Sequence, residues 1–311
     1  MATVVGSSTG AIDVKSTVDQ LIEVEMVKRI DPIDTKVTAK QASMSALAAI
    51  KTLSTSLQDS LDTFADKTQF ELSTDATLTA TQREALRLTN LTTAVQTFVT
   101  NYNALQAGIV KYGTVDLSDS TRDTSAKVAL FGDPALQKFR LLLRDGYSAG
   151  LSYTNALSTR TDKTSTISFT DLGVSRKTDG TLAFSKSALT KSAALDTTTL
   201  TAPAYGDTLS DASYAQPKLL DRLSSGISST LNTNLAKAGS AIVGIFDLRT
   251  SQFNSQLYTL RNKRVTESAK IETERTRLLK TYSALNAMLA NMSSTSNFLS
   301  AQLASLTKNN N

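Results

Sequence analysis

The chain has 311 residues, of which 40% are hydrophobic and only 6% aromatic, with no tryptophan and a net charge of +5. The length suffices for one to three domains with a sizeable core, and so few aromatic residues suit long paired helices better than a compact globule. Neither cysteine nor histidine occurs, which excludes disulfides, thiolate metal sites, a cysteine nucleophile and the usual imidazole ligand or base; no cluster of carboxylates, lysines or tyrosines stands out in their place, so no catalytic, metal or cofactor site is expected.

Met1 to Gly10 is rich in Gly, Ser and Thr and has neither a basic start nor an apolar run. It is expected to be disordered when free and is not a conventional secretory signal. Ala11 to Arg29 reads as a helix with Ile12, Val14, Val18, Leu21, Ile22 and Val24 on its apolar face and Asp13 near its start. Pro32 is expected to break it. A second helix runs from about Ile33 to Asp66, with a stripe of Ile33, Val37, Met44, Leu47, Leu57, Leu61 and Phe64.

Thr68 to Gln82 shows no helical stripe, and the alternation of Phe70 and Leu72, then Leu78 and Ala80, suggests a short strand or strand pair. The cleanest stripe follows: Leu91, Val95, Phe98, Tyr102, Leu105 and Ile109, spaced by four and three in turn, predict a helix over about 86–111 that forms the core of a middle domain. Gly113 is placed to end it. Thr114 to Thr124 reads as a polar loop. In Leu130-Phe131-Gly132-Asp133-Pro134, Asp133 is placed as N-cap and Pro134 as the first residue of a helix whose face is Leu136, Phe139, Leu142 and Leu143. Residues 166–184 read as a hairpin, led in by Ile167 and Phe169, turned at Asp179-Gly180 and returned by Leu182 and Phe184. Ser185 caps a short helix to Leu195, Thr197 to Ser213 is a loop, and one helix is expected from about Lys218 to Lys237. Gly239 stops it, and Ser240 is placed to cap the last helix.

That last helix, about Ala241 to Leu306, has no proline and carries a seven-residue repeat: Leu257, Arg264, Ile271, Leu278, Leu285, Met292, Leu299, Leu306. Such a repeat keeps one seam toward a partner helix, over a reach of about 100 Å. Leu260, Met288, Leu289 and Leu303 extend the seam, while Glu267, Glu274 and Thr281 interrupt it. The seam is therefore strong at its ends and wet in the middle. Residues 249–280 hold eight Lys/Arg against three Glu. The charges are spaced out and mixed with acids, which marks a solvated or salt-bridged face and not a nucleic-acid site. No run of 18 apolar residues exists, so no membrane insertion is expected.

The sequence thus predicts a mainly α chain with a small α+β middle domain. Residues 1–67 hold the N-terminal segment and helices, 68–240 the middle domain, and 241–311 the long last helix. The terminal helices pair antiparallel as a coiled-coil leg, with Leu285, Met288, Leu289, Met292, Leu299 and Leu303 facing Val18, Leu21, Ile22 and Val37. Seams this uneven point to an oligomer or a larger assembly.

Several segments, in order, carry a resemblance. They are Ile12-Asp13, Val18-Asp19-Gln20-Leu21-Ile22, Glu25 and Pro32-Ile33; then Val95-Gln96-Thr97-Phe98-Val99-Thr100-Asn101-Tyr102-Asn103-Ala104-Leu105; Leu130-Phe131-Gly132-Asp133; Asp171-Leu172-Gly173-Val174 and Asp179-Gly180-Thr181-Leu182; and finally Tyr282-Ser283-Ala284-Leu285-Asn286, Met292 to Ser296 and Phe298-Leu299-Ser300-Ala301-Gln302-Leu303. Together they resemble the flagellar filament cap family, also called hook-associated protein 2, over nearly the whole chain.

The resemblance implies a structural protein at the distal tip of the bacterial flagellum that stops flagellin from leaking away and promotes its polymerisation. It further implies a self-associated ring, commonly five copies, contacts with flagellin and the filament tip, secretion through the flagellar export channel, and an export chaperone on the C-terminal helix. Family members usually carry a large β-rich head before the helix equivalent to 86–111. Here only about Thr68 to Glu84 fills that gap, so the chain is either a naturally minimal cap or one whose head is deleted, and head functions do not carry over. Another flagellar axial protein, of flagellin or hook–filament junction type, and a cytoplasmic coiled-coil scaffold stand as alternatives.

Overall fold

The computed structural model describes residues 13–114, 129–155, 164–194, 218–240 and 244–308, without the side chains of 306–308. The expected N-terminal segment 1–10, the loop at 197–213 and nearly all of the loop at 114–124 lie outside the described residues. The fold is mainly α, and the chain divides into two compact units: residues 42–253, and residues 1–41 with 254–311. These limits differ from divisions at 67 and 241, because the second half of one long helix and the first turns of another contribute Leu47, Ile50, Leu57, Leu61, Phe64, Phe246 and Phe253 to the core of the larger unit.

Helix α1 (Val14–Arg29) starts where Asp13 accepts the Ser16 amide at 3.0 Å, an N-cap that satisfies an otherwise unpaired donor. Helix α2 (Asp31–Ala65) begins one residue after Ile30, whose carbonyl accepts from both Ile33 and Asp34. The first helix does end before Pro32, as expected, but only Ile30 separates it from α2, closer than the start at Ile33 that was expected. Pro32 sits in the first turn, where a missing N–H costs nothing. Residues 66–79 form no strand. Asp66 and Asp75 each accept backbone and hydroxyl hydrogens two residues on, which favours turns, and a 3-10 turn spans Lys67–Gln69. Of the alternating residues there, Phe70 is buried and Leu72 exposed.

Helix α3 (Ala80–Gly113) starts six residues before the expected position, at a full capping box between Thr79 and Gln82. Leu91, Val95, Phe98, Tyr102, Leu105 and Ile109 are all buried in the core of the larger unit. Gly113 is the last residue of the helix, but not as the left-handed cap expected. Its backbone is not left-handed; the glycine leaves room for Leu136, whose Cδ2 would lie 2.4 Å from a Cβ there.

Asp133 caps α4 (Pro134–Ala149), accepting the Ala135 amide at 2.9 Å, and Pro134 opens the helix. Strand β1 (Leu151–Thr154), unforeseen in the sequence, pairs antiparallel with β2 (Thr164–Ile167), Leu151 opposite Ile167. Residues 166 and 167 therefore belong to this sheet, and the hairpin is shorter than expected: β3 (Val174–Arg176) and β4 (Leu182–Phe184), turned at Gly180 with φ +85°. The Asn103 side chain of α3 donates to the Leu182 carbonyl and accepts its amide, at 2.9 and 2.7 Å, which docks the hairpin on the helix. Helix α5 (Lys186–Ala194) follows, with Ser185 accepting the Ala188 amide.

The single helix expected over 218–237 is broken. Helix α6 (Leu219–Ser224) is followed by Gly226 at φ +86°, strand β5 (Ile227–Ser229) and α7 (Thr230–Gly239). β5 completes the three-stranded sheet in the order β2-β1-β5, and Ser229 then caps α7 through the Asn232 amide. Helix α8 spans Ile245–Lys308, beginning after Gly244 and so later than Ser240 would place it.

Aromatic contacts tie the elements of this unit together. Phe169 stacks on both Phe98 and Tyr147, each at 4.9 Å, and Phe139 meets Phe246 edge-on at 4.8 Å. Arg87, only 5% exposed, donates to the Phe70 carbonyl at 2.6 Å and to Glu84 and Asp221 at 3.0 and 2.9 Å. One guanidinium thus fastens the 66–79 connection and α6 to α3.

Candidate functional site

The smaller unit holds the terminal helices: α1, the start of α2 and α8 from Asn254 onward. Its core is small. Val18, Ile22 and Ile30 are buried with Ile271, and Val14, Leu278, Leu279 and Tyr282 pack around them. Val18 and Ile22 are four residues apart, one above the other on a helix face. A helix of 16 residues is marginal alone in water, so this contact is what holds α1.

Ion pairs rim the cluster. Arg275 reaches Asp19 at 2.9 Å and Arg264 reaches Asp34 at 2.7 Å, so residue numbers rise on one side as they fall on the other, as in antiparallel pairing. Arg29 pairs with Glu25 at 2.7 Å and lies 3.7 Å from Glu274. Hydrogen bonds from Lys15 and then Arg275 hold the Asp19 carboxyl below its usual range, and Lys270 does the same for Glu267. All these groups are partly exposed, so water screens each pair and little net stability comes from any of them. They set the alignment of the helices more than the strength of the contact.

The intrachain register corrects the sequence expectation. The residues of α8 that face Val18 and Ile22 come from its middle, Ile271, Leu278, Leu279 and Tyr282, and not from Leu285 onward. Leu285, Met288, Leu289, Met292, Leu299 and Leu303 are all exposed, from 36% at Leu289 to 65% at Leu303. Leu21 is exposed at 40%, and Val37 is half-buried. The reason is length and charge: Asp19 and Asp34 find their arginines at 275 and 264, and that alignment leaves no part of α1 opposite residues beyond Tyr282. The centre of α8, read as wet, is therefore where the chain closes on itself. Ile271 was already in the seven-residue repeat; the acids that pair with its basic neighbours were the missed signal.

Among the described residues no group of three or more Asp or Glu side chains is arranged to hold a metal ion, and no helix is long and apolar enough to cross a membrane. What the smaller unit presents is a surface: one seam along α8, closed by the chain itself at Ile271–Tyr282 and exposed beyond it.

Terminal helices joined by a small, ion-rimmed contact, with a long apolar stripe exposed past it, define a mainly α structural protein equipped to assemble. The comparisons with known proteins agree. The family model for the flagellar hook-associated protein 2 N-terminus matches residues 10–97, and that for the flagellar hook-associated protein 2 C-terminus matches residues 87–294. The chain belongs to the flagellar hook-associated protein 2 family, structural proteins that cap the flagellar filament at its extracellular tip and act there with flagellin as oligomers. The two matched regions overlap within α3. Neither the curated proteins nor the solved structures compared with the chain match it.

Proposed function

We propose that this chain is a working filament cap that retains flagellin at the growing tip and promotes its polymerisation there. It acts as a ring of copies, five by resemblance to the family, reaches the tip through the flagellar export channel, and is held before export by a chaperone on the C-terminal helix. The observation that carries the reading is the stripe of Leu285, Met288, Leu289, Met292, Leu299 and Leu303. Six large apolar side chains on one exposed helix segment are costly to leave in water, on the order of 1.5–3 kcal/mol each for those that become fully covered. Assembly supplies the cover. Leu21, on α1, and Val37, on α2, extend the packing surface, while Val18 and Ile22 hold α1 in place from within.

The test is complementation. In a strain lacking its own cap and supplied with a compatible flagellin, the wild-type chain restores filaments, and Leu285→Asp with Leu299→Asp does not, although the larger unit still folds. Flagellin accumulating in the medium with the wild-type chain present would refute the capping role. Normal filaments with the doubly substituted chain would refute the packing role of the stripe.

A further inference from the structure

The sulfur of this chain is confined to five methionines, and they are unevenly placed. Cysteine, tryptophan and histidine are all absent, so methionine is the one side chain left that a mild two-electron oxidant attacks readily. The larger unit holds a single methionine, Met44, half-buried and packed against the core. Met26, Met288 and Met292 belong to the smaller unit and are exposed by 46%, 61% and 60%. Met1 lies outside the described residues. An oxidant in solution therefore meets the sulfur of the terminal helices before that of the larger unit.

Met288 and Met292 are four residues apart on α8, one above the other on a helix face. They stand in the stripe that also holds Leu285, Leu289, Leu299 and Leu303. A peroxide oxidises such a sulfur in one balanced step. The sulfur lone pair forms a bond to one peroxide oxygen as the O–O bond breaks. The other oxygen leaves as hydroxide, takes the proton of the transferred oxygen and departs as water. The sulfur loses two electrons and the peroxide gains two. The product, methionine sulfoxide, is polar where the thioether was apolar. Residues 281–307 contain no Asp, Glu, Lys or Arg, so the stripe has no charged side chain of its own to pair with the new S–O group. Covering that group without a partner costs free energy that covering the thioether does not.

We infer that Met288 and Met292 form an oxidation-sensitive modification site, at which hydrogen peroxide makes the stripe unfit to be covered while the larger unit stays folded. This rests on the packing role proposed above for the stripe and holds whichever partner covers it. Oxidation acts on the unassembled chain, because covered sulfurs no longer meet solvent. It is reversible: a sulfoxide reductase draws two electrons from a thiol, returns the thioether and releases the oxygen as water.

The full-length chain is treated with hydrogen peroxide without denaturant, and oxidation at each methionine is read by peptide mass spectrometry. Purified chain, treated or untreated, is then supplied to cells that lack their own cap and make a compatible flagellin. Met288 and Met292 should oxidise at least about five-fold faster than Met44. As they do, filament growth should fall by at least about five-fold, and methionine sulfoxide reductase with a thiol should restore it. The larger unit should keep its thermal midpoint throughout. Met288→Leu with Met292→Leu, still open to oxidation at Met26, should keep after peroxide the growth that its own untreated sample gives. Met44 oxidising in step with the pair overturns the placement of the site. Full growth with chain oxidised at both positions overturns the switch and leaves the capping role standing, and so does an equal loss in the doubly substituted chain. Untreated chain that supports no growth overturns the capping role and the inference with it.

Discussion

Replacing Ile271 by alanine should release α1 without unfolding the larger unit. Ile271 is 5% exposed and shares its cluster with just three other buried residues, Val18, Ile22 and Ile30. The substitution removes three buried carbons, about 0.8 kcal/mol each, or about 2.4 kcal/mol before any cavity cost. Leu278, Leu279 and Tyr282 rim the site half-buried and can move inward, which keeps the total near the low end of the roughly 2–5 kcal/mol usual for such truncations. A loss of about 2.5 kcal/mol shifts a local opening equilibrium by roughly fifty- to a hundred-fold. Hydrogen exchange on the isolated chain reads this directly: amides of α1 should exchange faster by that factor, while those of α3 keep their wild-type protection. Leu285→Ala, at a position 42% exposed, should leave both unchanged under conditions where the chain is monomeric. If α1 in Ile271→Ala exchanges within about two-fold of wild type, the cluster does not hold the helix; if α3 loses protection equally, the two units do not open separately.

Three further predictions concern single groups. Arg87→Met should lower the stability of the larger unit by about 2–3 kcal/mol, read as a lower thermal midpoint, because it leaves the Phe70 carbonyl without its 2.6 Å donor; its two carboxylate partners are half exposed and return to water at little cost. Gly146→Ala should cost about 1–3 kcal/mol, since its Cβ would stand 2.6 Å from the Leu231 Cα on the backbone of α7, which cannot swing aside as a side chain can. In the folded chain Asp19 should titrate below its ordinary value of 3.8, so its contribution is fully present above that pH and is lost as the pH falls through the lower folded value. NMR of the carboxyl carbon checks this, and Lys15→Met should raise the midpoint more than Arg275→Met.

Local chemistry was legible in the sequence wherever one residue type settles one conformation. Asp133-Pro134 opened a helix, Asp179-Gly180 turned a hairpin, and the four-three spacing from Leu91 to Ile109 lay on a buried face. The capping box at Thr79 and Gln82 was equally readable as T-x-x-Q and would have moved the start of α3 back to its true place. Strand β1 gave too short a pattern, and the break at Gly226 was hidden because Leu219, Leu223, Ile227 and Leu231 keep helical spacing across it. Tertiary context decides there: Ile227 gains a strand partner in Tyr153, and Gly226 alone can take the required turn. The seam of α8 was visible as a repeat, but its register was not. Apolar periodicity repeats every heptad and admits several alignments; the acids Asp19 and Asp34 select one.

The connection between α2 and α3 has a consequence for how the chain tolerates change. Its entrance is fixed by Asp66, by buried Phe70 and by the grip of Arg87 on the Phe70 carbonyl, and its exit by the capping box of Thr79. Asp66 follows the end of α2 and Thr79 caps the start of α3, while Arg87 of α3 holds Phe70 in place, and between these anchors Glu71 to Thr79 runs at the surface without a buried residue. A guest sequence spliced in after Asp75 would meet two finished ends and disturb neither. The same property makes this stretch a natural port for mounting a foreign epitope or a fluorescent domain on the protein while both helices keep their starting and stopping signals.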